Sequence, residues 1–246
     1  MTAITPGKLL EDLHRAADAV AGITANLTEP DVSAPSELPG WTRGQVLAHL
    51  CGIANAMARQ LEYAARGESV ELYDGGFEGR NRAIDMAAGH SLEDHGADVD
   101  AALERALRAF GSLEPAGWQA PISYRGGVVF DGGLALWREL TIHAGDLGTG
   151  RGPESWSRPF CEHLFDFLAV RVPEGERFVL QPLGLPAKAI GAAGGKSTVI
   201  NGMLTDIAAW LAGRTPTLGS LRATAAADGV ELPALLPWPA GVPVTK

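Results

Sequence analysis

The amino-acid sequence predicts an α + (α+β) protein. A four-helix bundle over residues 1–152 precedes a small α+β domain over residues 153–246. Four segments of the first part carry apolar residues at helical spacing, and a long connection rich in proline and glycine precedes the fourth. Beyond Gly150 the pattern changes to short strand-like runs between two further helices. A bundle and a separate mixed domain account for both patterns.

The predicted bundle helices have recognisable boundaries. The second begins at a capping box, in which Thr42 is followed three residues later by Gln45. The third is interrupted near Gly89, and a small hairpin is expected in the connection at residues 122–130. The predicted helices cover residues 7–28, 43–66, 78–111 and 133–149.

The second part predicts alternating helices and strands. Its last helix ends at Gly213, with Pro216 three residues further on, which is a typical helix stop. The predicted elements are helices at 156–171 and 201–213 and strands at 177–181, 187–190 and 197–200.

Composition and charge exclude several classes of protein. The 246 residues are 46% hydrophobic and 20% charged, as expected of a folded globular chain. The net charge is −9, without a basic run, which argues against binding to nucleic acid or to an anionic membrane surface. Two cysteines, no apolar leader and no long apolar run predict a cytoplasmic protein that does not span a membrane.

The fourth predicted helix carries a candidate metal-binding pair. Glu139 and His143 lie four residues apart, and therefore on one face, together with Leu136, Leu140 and Leu147. A glutamate is rarely buried on an apolar face unless it is paired or bound to a metal. The alternative is a half-exposed ion pair at the edge of a helix.

A third candidate ligand, His49, lies on the inward face of the second helix, although a single inward histidine is more often a satisfied core residue. With Glu139 and His143 it forms a His₂Glu set, and three protein ligands with an open fourth position are typical of catalytic zinc. A thiol would suit that open position. Asp146 could hold the other ring nitrogen of His143, or it could be an exposed residue near the helix end.

These motifs resemble a known family. Gly40-Trp41-Thr42, the run from Val46 to Leu50 and Asn55-Ala56 look like the first half of the mycothiol-dependent maleylpyruvate isomerase family. Arg138-Glu139, His143 and Asp146-Leu147 look like its second half, and the stretch from Trp210 to Arg214 is similar to its small C-terminal domain. The resemblance implies a DinB-like bundle, from a superfamily of metal-dependent thiol transferases, followed by a sterol-carrier-like α+β domain.

The resemblance also implies roles for particular residues. His49, Glu139 and His143 would bind zinc or another divalent metal, and Arg214 would hold a substrate carboxylate. Read by itself, Arg214 is a cation favoured by the dipole at a helix C-terminus. Asn81 and Arg82, on the third helix, are weaker candidates for lining the cleft and binding substrate.

The implied function is that of a mycothiol-type isomerase or thiol S-transferase. It would act on a small electrophilic substrate that carries a carboxylate, such as maleylpyruvate. No feature of the sequence identifies the thiol, and a fold does not fix a substrate. The alternative is a non-catalytic, metal-stabilised protein that binds a ligand or a partner. We expect a monomer or a homodimer whose partners are small molecules.

Overall fold

The computed structural model describes residues 4–225 and 228–239. The described residues form two compact units, and the boundary between them in the sequence falls between Gly150 and Arg151.

The first unit is a bundle of four helices with two additional shorter ones. Helix α3 packs against α5 and α6, α1 packs against the same two helices, and α4 packs on the side of α3. The helices are α1 (Pro6–Thr24), α2 (Glu29–Ser33), α3 (Arg43–Ala64), α4 (Gly76–Ala87), α5 (Leu92–Gly111) and α6 (Val129–Asp146).

Apolar residues at helical spacing form the core of the bundle. The fully buried leucines Leu9 and Leu13 of α1 and Leu136 and Leu140 of α6 belong to this core, and the removal of their surface from water is the main stabilising contribution. The predicted capping box is confirmed, with the Thr42 hydroxyl accepting from the Gln45 backbone N–H at 3.2 Å. This cap fixes the first turn of α3, seven residues before His49.

The predicted hairpin at residues 122–130 is wrong. The structure has a single bridge between Pro121 and Val128, and α6 begins at once. The Val128 backbone N–H donates to the Asp131 carboxylate at 2.9 Å, which caps the helix. Gly133 indicates close packing rather than a turn, because a Cβ there would lie 2.9 Å from the Leu9 side chain.

The second unit is a mixed five-stranded sheet with two helices. Helix α7 (Arg158–Phe167) packs against α8 (Leu204–Leu211), which also contacts the sheet. In the order β2-β1-β3-β4-β5, β1 and β3 are parallel and the other neighbours antiparallel. The strands are β1 (Glu176–Pro182), β2 (Lys188–Gly191), β3 (Lys196–Gly202), β4 (Arg222–Ala225) and β5 (Asp228–Val230).

The predicted α + (α+β) fold class is therefore confirmed. Alternation along β1 buries Phe178 and Leu180, and the Phe178 ring lies 5.6 Å from that of Trp210 on α8. Strands β4 and β5 were not predicted. Among the described residues, no helix combines the length and the apolar character needed to cross a membrane.

Candidate metal centre

Three side chains with metal-ligating atoms converge inside the bundle. His49 comes from α3, and Glu139 and His143 come from α6, where they are one helical turn apart. His49 Nε2 lies 2.9 Å and His143 Nε2 lies 3.2 Å from Glu139 Oε2. One ligating atom from each residue lies within 4.8 Å of those of the other two. The structure thus brings together the three residues that the sequence suggested.

Glu139 is the centre of this cluster. Burial alone would raise the pKa of its carboxyl, but hydrogen bonds from His143 and His49 outweigh that effect. The pKa of Glu139 therefore lies well below its usual value, and the side chain is an anion at neutral pH. Its side chain is still 29% exposed, so that a small molecule can reach it.

His143 lies between two carboxylates. Its Nδ1 is 2.7 Å from Asp146 Oδ2, and its Nε2 faces Glu139. Burial alone would lower the pKa of His143, but the hydrogen bonds to Asp146 and Glu139 raise it to about 9. Asp146 is buried, so the alternative of an exposed residue near the helix end is wrong. Because Asp146 holds the Nδ1–H, Nε2 is the nitrogen that would ligate a metal, which would displace the Nε2 proton.

His49 has a different environment. Burial lowers its pKa, despite the hydrogen bond to Glu139, and the charge of His143 lowers it further. Its Nδ1 lies 3.0 Å from Arg80 Nη2, and its ring meets that of Trp41 edge-on at 6.1 Å. A guanidinium can only donate. His49 Nδ1 therefore accepts, and the proton of the neutral ring lies on Nε2 and faces Glu139.

The donor set fits a divalent metal. Two imidazole nitrogens and one carboxylate oxygen are the His₂Glu set of catalytic zinc sites, and they leave a coordination position open. His143 is already oriented by a carboxylate on its far nitrogen. His49 could ligate through Nε2 once that nitrogen gives up its proton, as metal binding to histidine always requires.

Asn81 and Arg82 lie on α4, and both are exposed. Arg82 is 68% exposed and lies 3.8 Å from Glu78, while Asn81 accepts a hydrogen bond from Arg80 at 2.8 Å. In the described residues, neither has a hydrogen bond or ion pair to His49, Glu139 or His143. Their predicted role in substrate binding stays a prediction.

Arg214 belongs to the second unit, just after α8. Its Nη1 donates to the Ala212 carbonyl at 3.0 Å, and its backbone N–H donates to the Ala209 carbonyl at 2.8 Å. These contacts fit a cation at a helix C-terminus. Its predicted contact with a substrate carboxylate stays a prediction.

Sequence reasoning missed Arg80 and Tyr73. Arg80 contacts His49, and both Arg80 and Glu139 influence the titration of Tyr73. Burial, with the charge of Glu139 second, raises the pKa of Tyr73 to about 12. Helical spacing could have identified Arg80, because it lies one turn before Ile84, the buried residue of α4.

Comparison with known proteins identifies the class. The model of the mycothiol maleylpyruvate isomerase N-terminal domain matches residues 13–148, and that of the C-terminal domain of the same family matches residues 155–237. The chain therefore belongs to the mycothiol maleylpyruvate isomerase family, a family of enzymes. This confirms the resemblance seen in the sequence.

Solved structures share the fold. A crystal structure of the mycothiol-dependent maleylpyruvate isomerase is similar at a TM-score of 0.83 and 20% identity, over 96% of this chain and 99% of the other. A mutant of that enzyme with one histidine replaced by alanine gives a TM-score of 0.82 and 19% identity over the same shares. A search of curated protein sequences gives no match.

Proposed function

We propose that the protein is a zinc-dependent enzyme that uses mycothiol, or a similar small thiol, to isomerise a maleylpyruvate-like substrate. The observation that carries this proposal is the His49, Glu139 and His143 cluster, with Asp146 on the far nitrogen of His143. A chain of this family with that donor set has both the fold and the ligands for a metal-activated thiol.

The chemistry follows from the cluster. Bound zinc would supply a positive charge that keeps a thiol deprotonated at neutral pH. The chemistry that the thiol would supply is reversible addition of its sulfur to one carbon of the cis double bond, with the electron pair of that bond taken up by the conjugated carbonyl of the substrate. The former double bond could then rotate as a single bond, and return of the electron pair with loss of the thiolate would restore the double bond in the trans form. No atom is gained or lost, so the thiol acts as a cofactor. An adduct that did not eliminate would be an S-conjugate.

The chain's own residues have defined tasks in this scheme. Glu139 provides a fixed negative charge, and Asp146 holds the His143 ring by its Nδ1–H. Arg214 is proposed to hold a substrate carboxylate. His49 is buried, and electrostatic contacts of a group that is shielded from water are stronger than those of an exposed group.

The experiment is a turnover assay with the zinc-loaded protein, mycothiol and maleylpyruvate, which follows the trans product by absorbance and any S-conjugate by mass spectrometry. We expect trans product that disappears in EDTA, returns with zinc and is absent from His49→Ala. Glutathione in place of mycothiol tests the choice of thiol. If the protein with bound zinc forms neither the trans product nor a conjugate, that result would contradict the enzymatic proposal. It would favour the non-catalytic binding protein.

The role of Arg214 has its own test. In Arg214→Ala, we expect the KM for the carboxylate substrate to rise about tenfold or more, because an ion-paired hydrogen bond is lost. Zinc content should stay at the wild-type level. Arg158→Ala is the control, since Arg158 is exposed and paired with Glu162. Loss of zinc or unfolding in Arg214→Ala would show that this arginine is structural.

A further inference from the structure

Arg80 is a half-buried cation beside the metal-ligand cluster. Its Nη2 donates to His49 Nδ1 at 3.0 Å and its Nη1 to Asn81 Oδ1 at 2.8 Å. It also shares a hydrogen bond with Tyr73, and its guanidinium carbon lies 6.0 Å from the centre of the Trp41 ring. All four partners are neutral.

Several other arginines of the bundle have carboxylate partners. Arg82, two residues further along α4, lies 3.8 Å from Glu78. Arg105 lies 2.7 Å from Glu62 on α3. Among the residues that the structure describes, no carboxylate lies within ion-pair distance of Arg80. A half-buried charge without a counter-ion is costly, so the position favours an anion supplied by a ligand.

The geometry of Arg80 suits a carboxylate. A guanidinium has five N–H donors in a planar fork that matches two carboxylate oxygens, and its neutral partners leave some of them available. The Tyr73 hydroxyl, whose pKa burial raises to about 12, is protonated at neutral pH, as a tyrosine ordinarily is, and can donate a further hydrogen bond. Glu139, the nearby anion, is already shared between two histidines.

We propose that Arg80, together with the Tyr73 hydroxyl, forms an anion subsite beside His49, Glu139 and His143 and binds a carboxylate of the substrate. This deepens the proposed function, on which the identity of the substrate rests. The bundle then carries a carboxylate-binding group of its own, within the same unit as the metal ligands.

The hydrogen bond between Arg80 and His49 depends on whether His49 ligates a metal. If His49 ligates through Nε2, its remaining ring proton moves to Nδ1, and a guanidinium cannot accept a hydrogen bond from it. The Arg80–His49 hydrogen bond is then lost, and its N–H becomes available to the ligand. Arg80 is therefore not needed to hold the metal, and Arg80→Gln should retain zinc.

The test is a calorimetric titration of zinc-loaded protein with maleate, a stable dicarboxylate with a cis double bond. We expect Arg80→Gln to bind maleate about tenfold or more weakly than the wild type, because a charge-assisted, bidentate contact is lost. Arg80→Lys keeps the positive charge but not the planar fork of N–H donors, so its affinity for maleate should lie between those of the wild type and Arg80→Gln. Arg108→Gln is the control, since Arg108 is 65% exposed and paired with Glu104.

Dimethyl maleate keeps the double bond but has no negative charge, and we expect it to bind the wild type about tenfold or more weakly than maleate. Elemental analysis of every variant shows whether zinc is retained. The titration needs neither thiol nor turnover, so a missing isomerase activity would contradict the proposed function and leave this result intact. The proposed subsite would be overturned if Arg80→Gln bound maleate with the affinity of the wild type. It would also be overturned if Arg80→Gln lost its zinc, or if the wild type did not bind maleate.

Discussion

The two histidines of the candidate metal centre come from different helices, and their pKa values are shifted in opposite directions. On the α6 side, His143 lies between Asp146 and Glu139, and its pKa is raised to about 9. On the α3 and α4 side, His49 lies between Glu139 and Arg80, and burial lowers its pKa. One histidine therefore has only carboxylate partners, and the other shares its ring between an anion and a cation.

The different surroundings of the two histidines indicate that one side of the site supports the metal and the other binds the ligand. The α6 side resembles a metal site with its outer support in place, because a carboxylate on Nδ1 fixes the ring and directs Nε2 at the ion. The side formed by α3 and α4 adds a donor-only group that supports no metal but attracts anions. We infer that α6 serves mainly the metal and that α4 serves mainly the ligand.

Among the α6 residues that support the metal ligands without ligating the metal, Asp146 should give the largest effect when replaced, in the variant Asp146→Asn. The amide keeps the shape but loses the charge that orients His143, so the affinity for zinc should fall about 10- to 100-fold. Competition with a zinc-binding dye measures the affinity. Asp18→Asn, an exposed position on α1, is the control. An affinity within about twofold of the wild type would remove the proposed contrast between the two sides.

A smaller effect should appear in the pH dependence of stability without metal. The folded pKa of His143, about 9, lies above the ordinary value of 6.5, so its stabilising contribution is fully present below pH 6.5. That contribution is lost as the pH rises from 6.5 through 9. The Tm of EDTA-treated protein should therefore fall over this window, by about 2–4 °C for each kcal/mol lost.

The matched variants are His143→Gln, in which this fall should disappear, and His14→Gln, in which it should persist because His14 is exposed on α1. With zinc bound, the Tm should instead rise with pH, since the metal competes with the proton on His143 and binds better as the pH rises. A Tm that is flat in the EDTA-treated wild type would show that His143 does not hold its proton as the structure indicates.

Much of the bundle could be predicted from the sequence. The Thr42 and Gln45 capping box and the long apolar stripes of α1 and α6 are local signals, and local signals determine where helices form. The hairpin failed because α6 begins at Val129, inside the predicted second strand, where the Asp131 carboxylate caps the helix. Strands β4 and β5 were missed because strand pairing depends on distant residues that no local pattern shows.

Some residues of the candidate site could be predicted and others could not, because again only local spacing is visible in the sequence. Glu139, His143 and Asp146 share one helix, so their spacing alone places them together. His49 required the additional assumption that two helices face each other. Arg80 and Tyr73 depend on how α4 packs on α3, and the exposed Asn81 and Arg82 were named in their place. The resemblance to the family supplied a thiol and a substrate, which the residues themselves do not determine.

The metal content of the purified protein, measured by elemental analysis for the wild type beside Glu139→Ala, tests the candidate metal centre most directly. Glu104→Ala is the control, because Glu104 is an exposed residue of α5 that is paired with Arg108. We expect about one zinc per chain in the wild type and in Glu104→Ala and almost none in Glu139→Ala. Equal zinc in all three proteins, or zinc in none of them, would contradict a metal centre formed by these residues and reduce the cluster to a buried ion pair.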